Sequence, residues 1–253
     1  MPMNSEKQTL SRLYDLISDS KQELFDRIAS QRTNHLKIVL EDINKEHNAS
    51  AVMRTCDCFG VQGLSVIEKN QEFSIHRDIA MGASKWVDIK PYSEGPNPTM
   101  DCIQDLKSNG YKVVATTPHT EQPIEDISID QPIALVFGTE RDGISNDIFE
   151  NADELVKIPM YGFIESFNIS VSAAIIMSSL RNRLEESKLQ QGGFSGDKKS
   201  CKNLTEKTLR VNQELVPSLK VSIQNPANLC EGIAADGWIR GGLPSRELSR
   251  DKD

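Results

Sequence analysis

Six short apolar runs recur along this chain with helix-length segments between them: Leu36–Leu40, Leu64–Ile67, Trp86–Ile89, Tyr111–Ala115, Pro132–Phe137 and Leu155–Ile158. Strands joined through helices run parallel, because a crossover returns the chain to the same end of the sheet. A parallel sheet is then covered on both faces, which explains why Pro132–Phe137 is apolar throughout rather than alternating. The pattern predicts an α/β fold: an open, mostly parallel sheet covered by helices.

The intervening segments carry helix signals. Asn48 is placed to cap a helix that runs to Phe59 and stops at Gly60. Thr99–Ser108 ends at Asn109-Gly110, a short helix fits Asn146–Asn151, and a long one spans Asn168 to Leu189, with Ser166 or Asn168 as its cap. Leu10, Leu13, Tyr14, Ile17, Leu24, Phe25 and Ile28 recur at three- and four-residue steps and predict an amphipathic helix over 5–30. Gln190–Asn203 reads as a flexible linker, followed by one helix over 204–215. The expected organisation is an N-terminal helical extension (1–34), an α/β domain (35–190) and a linker with C-terminal extension (191–253).

No apolar run approaches the roughly 20 residues of a membrane span, and the expected location is the cytoplasm, with no membrane partner. Five scattered cysteines (Cys56, Cys58, Cys102, Cys201, Cys230) lack zinc-ligand spacing. They are read as reduced thiols, with no metal. The net charge of -8 disfavours nucleic acid on its face, yet Arg181–Lys220 holds nine Lys/Arg against five Asp/Glu. An acidic protein of this kind has room for a basic face.

Candidate chemistry lies at the strand ends. There is no G-x-G-x-x-G and no G-x-x-x-x-G-K-[ST], which disfavours dinucleotide and phosphate-gripping folds. Three segments stand out instead: His47-Asn48-Ala49-Ser50-Ala51-Val52-Met53-Arg54-Thr55, Phe137-Gly138-Thr139-Glu140-Arg141-Asp142-Gly143-Ile144-Ser145, and Ile158-Pro159-Met160 running on to Ser166-Phe167-Asn168-Ile169-Ser170-Val171-Ser172. Taken singly, Arg54 is a surface arginine on a helix, Glu140 a turn carboxylate, and Asn48, Ser166 and Asn168 helix caps.

Together, in this order and spacing, the three segments resemble the motifs of the SpoU-type RNA 2′-O-methyltransferases of the SPOUT superfamily, over about residues 10–190. The first motif and the short N-terminal extension look most like enzymes that methylate guanosine 18 of tRNA. The resemblance implies a deep C-terminal trefoil knot as the cofactor cup, S-adenosylmethionine as cofactor, tRNA as substrate and a homodimer packed through the knotted region. By the same resemblance Arg54, Asn48, Glu140, Ser166 and Asn168 are the catalytic set. Thr116, Gly138, Ile158, Met160 and Phe167 match cofactor-contacting positions, with Phe167 standing where relatives often carry leucine.

The resemblance makes Arg54 the base that takes the ribose 2′-hydroxyl proton. A guanidinium holds its proton to roughly pH 12.5–13.8, so a second role stays open: a fixed cation that orients the adjacent phosphate and steadies the developing oxyanion. Glu140 is expected to orient Arg54 or a substrate group. Arg12, Lys21, Arg27, Arg32 and the basic 181–220 stretch are candidate phosphate contacts. Ile175, Ile176, Met177 and Leu180 are more apolar than one buried stripe requires and are either the dimer face or a helix face buried within its own subunit. Two other readings remain: a 2′-O-methyltransferase acting on ribosomal RNA, and a knotted RNA-binding protein without catalysis.

Overall fold

The computed structural model describes residues 17–190. Helix α1 (Asp19–Gln31) belongs to a compact unit distinct from the one that begins at Arg32. The expected helical residues 5–16, the linker over 190–203 beyond its first residue and the helix over 204–215 lie outside the described residues.

From Arg32 the chain builds one six-stranded sheet: β1 (Thr33–Glu41), β2 (Val61–Ile67), β3 (Asp88–Tyr92), β4 (Lys112–Thr116), β5 (Ile133–Phe137) and β6 (Glu154–Val156). Its spatial order is β3-β2-β1-β5-β4-β6 and every pairing is parallel. The central strands explain themselves chemically. Every residue of β2 and of β5 is buried, as a strand covered on both faces requires.

Alternate residues divide the core in two. Leu36, Ile38, Leu40, Leu135 and Phe137 pack with α2 (Glu46–Cys58) and, across a different stretch of sequence, the helix that starts at Ile169. Val39, Val113, Ala115, Ala134 and Val136 pack with Cys102, Ile103 and Leu106 of α4 (Pro98–Ser108) and with Ile148 of α5 (Asn146–Asn151). Between them lies α3 (Arg77–Ala80), a single turn, and the last helix is α6 (Ile169–Gln190). Short 3-10 turns at Ala83–Lys85 and Ile124–Asp126 complete the unit.

Three expectations are corrected here, and one open alternative is decided. The strand expected at Trp86–Ile89 begins at Asp88, because Trp86 closes the 3-10 turn and its N–H bonds back to Ala83. Asn48 does not cap α2. That helix starts at Glu46 after Lys45, with no side-chain cap, and Asn48 lies inside its first turn. Gly60, at φ 67, does end it as expected.

Arg32, a candidate phosphate contact, is instead a structural group whose side chain is 2% exposed. It donates to Gln62 Oε1 (2.5 Å), Asp57 Oδ1 (2.6 Å) and the carbonyl of Trp86 (3.0 Å). Finally, Ile176, Met177 and Leu180 are fully buried in their own subunit's core and Ile175 packs against it. That face of α6 is not available to a second copy.

Two of the thiols share this burial. Burial pushes Cys56 up to about 12 and Cys102 up to about 12, whereas Cys58 is exposed. The thiolate is the reactive species. Brief alkylation of the native protein at mildly alkaline pH, read by peptide mass mapping, is therefore expected to label Cys58 well before Cys56 or Cys102. Equal labelling of the three would show that the sheet does not close over α2 and α4 as described.

Candidate active site

The sheet reverses its direction of growth between β1 and β5. From β1 the chain adds β2 and β3 on one side, then crosses to build β4, β5 and β6 on the other. At such a switch point the loops leaving the two strands part and open a crevice at their carboxyl ends. The loop that leaves β1 here leads straight into α2, which carries the first motif segment, and the loop that leaves β5 is the second motif segment.

The loop after β5 is shaped by its glycines. Thr139 N–H donates to the carbonyl of Gly143 (2.8 Å) and Gly143 N–H returns to Thr139 (3.1 Å), closing a tight hairpin. A Cβ at Gly138 would stand 2.1 Å from the Gly143 carbonyl oxygen, so no other residue fits under this turn. Gly143 itself sits at φ 73. Asp142 N–H donates to Thr139 Oγ1 (2.9 Å), and Ser145 accepts from Ile148 N–H (3.4 Å) as the cap of α5. Glu140 is left on the turn with its carboxylate free to reach across the crevice.

It reaches three groups. Oε1 accepts from the Asn48 amide and, at 3.4 Å, from Asn168 Nδ2. Oε2 pairs with Lys45 Nζ at 2.5 Å. Asn168 Nδ2 also donates to Asn48 Oδ1 (3.2 Å), so the two amides and the carboxylate form a closed triangle.

The orientation of Asn168 is set by its own helix. Its Oδ1 accepts from Ser170 N–H (2.9 Å) and Ser170 Oγ (2.6 Å), which makes Asn168 the N-cap of α6. With the oxygen held there, its amide nitrogen must face Asn48 and Glu140. The cap reading and the site reading are therefore both true of one side chain.

The remaining candidates are placed differently. Arg54 and Ser166 are exposed, and their side chains make no hydrogen bond or ion pair among the described residues. Glu140 engages Lys45, Asn48 and Asn168 rather than Arg54. Thr116 ends β4 with its hydroxyl donating to the carbonyl of Val136 (3.1 Å). Ile158 and Met160 are half-buried beyond β6, and Phe167 is 42% exposed.

In the sequence Lys45 belongs to the Lys45-Glu46-His47-Asn48 approach to the first motif, which favours tRNA as substrate, but nothing there pairs it with Glu140. His47 and His76, whose rings stack with centroids 5.5 Å apart, were likewise not linked.

A parallel α/β sheet whose motif loops converge on a carboxylate at its switch point defines the class of protein. The chain belongs to the SpoU rRNA Methylase family, whose model matches residues 35–178. It is 39% identical over 178 residues to the tRNA (guanosine(18)-2′-O)-methyltransferase of Borreliella burgdorferi, covering 70% of this chain and 80% of that protein. Against the Aquifex aeolicus protein of the same name it is 31% identical over 173 residues, covering 68% and 80%. The crystal structure of the A. aeolicus TrmH/SpoU tRNA modifying enzyme superposes with a TM-score of 0.61 at 28% identity, covering 76% of this chain and 96% of that one.

The triangle makes a direct thermodynamic prediction. Residues in one hydrogen-bonded network couple by about 0.5–3 kcal/mol. A double-mutant cycle on unfolding stability with Asn48→Ala and Asn168→Ala is expected to show such coupling, with the lost α6 cap cancelling between the two Asn168 terms. Strict additivity would mean the two amides do not share the junction.

Proposed function

We propose that this chain transfers the methyl group of S-adenosylmethionine to the 2′-hydroxyl of guanosine 18 in tRNA. The observation that carries the proposal is the Asn48–Glu140–Asn168 junction at the sheet's switch point, formed from all three motifs within the matched family region.

The residues proposed for the cofactor suit its chemistry. Thr116 and Gly138 end the neighbouring strands β4 and β5, and Ile158, Met160 and Phe167 add apolar wall. None of the five is cationic, as a site for a sulfonium requires, and the turn at Gly138 brings backbone polar groups close together. The cofactor, when bound, supplies an electrophilic methyl group.

The chain's own groups then have the task of holding the ribose. Glu140 is loaded by two amides and a lysine, so its role is to fix Asn48 and Asn168, not to take a proton. In this reading Ser166, exposed just before α6, holds a ribose hydroxyl, while Asn168, whose amide is already shared among Asn48, Glu140 and Ser170, keeps the junction beside it in position. Arg54 serves as a fixed cation: exposed and unpaired among the described residues, it clamps the neighbouring phosphate and stabilises charge developing on the 2′-oxygen.

The trefoil threading belongs to the same reading. Its support is that the chain after β4 returns against the chain after β6, through Ile124 N–H to the Lys157 carbonyl (3.0 Å) and Lys157 N–H to that of Gln122 (2.9 Å). So does the division of the chain into an N-terminal extension, a methyltransferase domain and a C-terminal extension, with the first boundary drawn before Arg32 rather than after residue 34, because β1 already begins at Thr33. A cytoplasmic location follows from the tRNA substrate, and no described helix is long and apolar enough to cross a membrane.

The decisive assay is transfer from labelled S-adenosylmethionine to unmodified tRNA, mapped by nuclease digestion. The expected product is a single ribose-methylated guanosine in the D-loop, with Arg54→Ala slower by about 100-fold or more. Transfer to ribosomal RNA alone would overturn the substrate, and transfer to neither would leave an RNA-binding protein. The role of Arg54 is read from Arg54→Lys. Lysine has the lower ordinary pKa, roughly 10.4, so a base would shift the pH–rate profile to lower pH, whereas a clamp lowers the rate and leaves the profile in place. The second outcome is expected.

A homodimer is part of the proposal, but through a different surface from the one the sequence suggested. Tyr161 (98%), Phe163 (107%), Ile164 (74%), Phe167 (42%) and Val171 (43%) are exposed together between β6 and the first turn of α6. Apolar groups this exposed and this close in sequence mark an interaction surface. Phe163→Glu is expected to convert a dimer to a monomer by light scattering after gel filtration; an unchanged dimer would place the interface elsewhere.

A further inference from the structure

One buried acid has no part in the proposed mechanism. Glu41 is the last residue of β1, between β2 and β5, and is 3% exposed. Its Oε2 accepts from the backbone N–H of Ser145 (2.8 Å), and Oε1 accepts from Ser145 Oγ (2.6 Å) and Thr99 Oγ1 (3.1 Å). No lysine or arginine among the described residues pairs with it. A buried carboxylate without a cation persists only where hydrogen bonds replace its water. Here two of the three come from one residue.

That residue is the hinge of the second motif. Ser145 closes the loop that begins at Gly138 and carries Glu140, and it caps α5. On the other side of Glu41 the chain runs through Asp42 into the first motif. Asp42 adopts φ 50, and its carboxylate accepts from Lys69 N–H (2.7 Å) and Asn70 N–H (2.8 Å), which anchors the turn to the loop after β2. Residues 41–48 and residues 140–145 therefore form a ring. Asn48 meeting Glu140 closes it at one end, and Glu41 meeting Ser145 closes it at the other.

We propose that Glu41 is a positioning residue for methyl transfer. By holding both hydrogen-bond donors of Ser145, its N–H and its hydroxyl, at the end of β1, it fixes where Glu140 stands relative to Asn48 and Asn168. The proposal rests on the reading of that triangle as the methyl-transfer site. Thr99 binds the same carboxylate from α4 but lies outside the ring, so its bond contributes to packing alone.

The ring and the packing roles separate by substitution. In Glu41→Ala both tethers to Ser145 are lost, and kcat is expected to fall by about 10- to 100-fold, with KM for S-adenosylmethionine little changed. Glutamine offers an oxygen to the Ser145 N–H and an amide to the hydroxyls, so Glu41→Gln is expected to recover most of that loss. Ser145→Ala is expected to lose kcat, whereas Thr99→Val, which removes the third bond from the same carboxylate, is expected to keep it.

Hydrogen exchange supplies a readout that needs no activity. Amides 139–145 are expected to exchange faster in Glu41→Ala and Ser145→Ala, while those of β2 stay protected. A kcat loss shared equally by Thr99→Val, no advantage of glutamine over alanine, or unchanged exchange at 139–145 would each overturn the proposal. If Glu41→Ala does not fold, the Ser145→Ala and Thr99→Val pair decides. A wild-type chain without methyl transfer would sink the functional reading instead, and the exchange data would then judge Glu41 alone.

Discussion

Three stretches of chain far apart in sequence are held in one place by a single carboxylate. Glu140 accepts from Asn48 in α2, from Asn168 at the start of α6, and pairs with Lys45 ahead of α2. The hydrogen bonds have one possible direction. Ser170 fixes the oxygen of Asn168, the nitrogen of Asn168 is thereby turned to Asn48, and the nitrogen of Asn48 is turned to Glu140. Amide orientation is ordinarily ambiguous in a structure; here a helix cap determines it from one end and a carboxylate from the other. Bonds arranged in such a series strengthen one another, and the loss of one member leaves its neighbours under-satisfied.

That junction depends in turn on the sheet. A fully parallel sheet covered on both faces leaves only its strand ends for chemistry, and the carboxyl ends diverge only at the switch point between β1 and β5. The alternation of Leu36, Ile38 and Leu40 against Val39 commits each face of β1 to a different pair of helices. A slip of one residue in β1 would turn Glu41 away from Ser145 and misplace Asn48. Register in the core and geometry in the site are thus one constraint.

The strands were readable because burial on both faces writes itself as an uninterrupted apolar run. β1, β2 and β5 fall where the sequence places them, and β3 slips because its residues are only half-buried or exposed and carry no such signal. Helix ends were readable where the signal is local, as at Gly60, Asn109 and Asn168. Reading failed where a distant partner claimed a side chain. Asn48 has the chemistry of a cap, yet Glu140, ninety-two positions on, takes its amide. Arg32 has the look of a surface cation, yet Asp57, Gln62 and Trp86 surround it. The apolar excess of α6 is explained by its own core, and the apolar residues left over lie in the loop before it, where no periodicity draws attention to them. The site residues themselves were legible only as a set, through resemblance, since each has an adequate local explanation.

The electrostatics of the site follow from which cations are already committed. The chain is acidic overall, at -8, so an RNA phosphate approaching at random meets repulsion. Near the motifs, Arg32 is consumed by structure and Lys45 by Glu140, while Arg183 donates to the carbonyl of Ile127 (2.5 Å) and Arg181 pairs with Glu185 (2.8 Å). Arg54 and Arg141 are the motif arginines whose side chains are left uncommitted within the described residues, and of the two Arg54 is the one assigned to the phosphate in the proposed reading. A cation already neutralised by a protein carboxylate would have to break that pair to grip a phosphate, whereas the clamp proposed for Arg54 would use its full fork of donors. The pairing of Lys45 with Glu140 serves the same end. It offsets the charge of the carboxylate in the junction, so on the proposed reading a phosphate held by Arg54 is not repelled by Glu140.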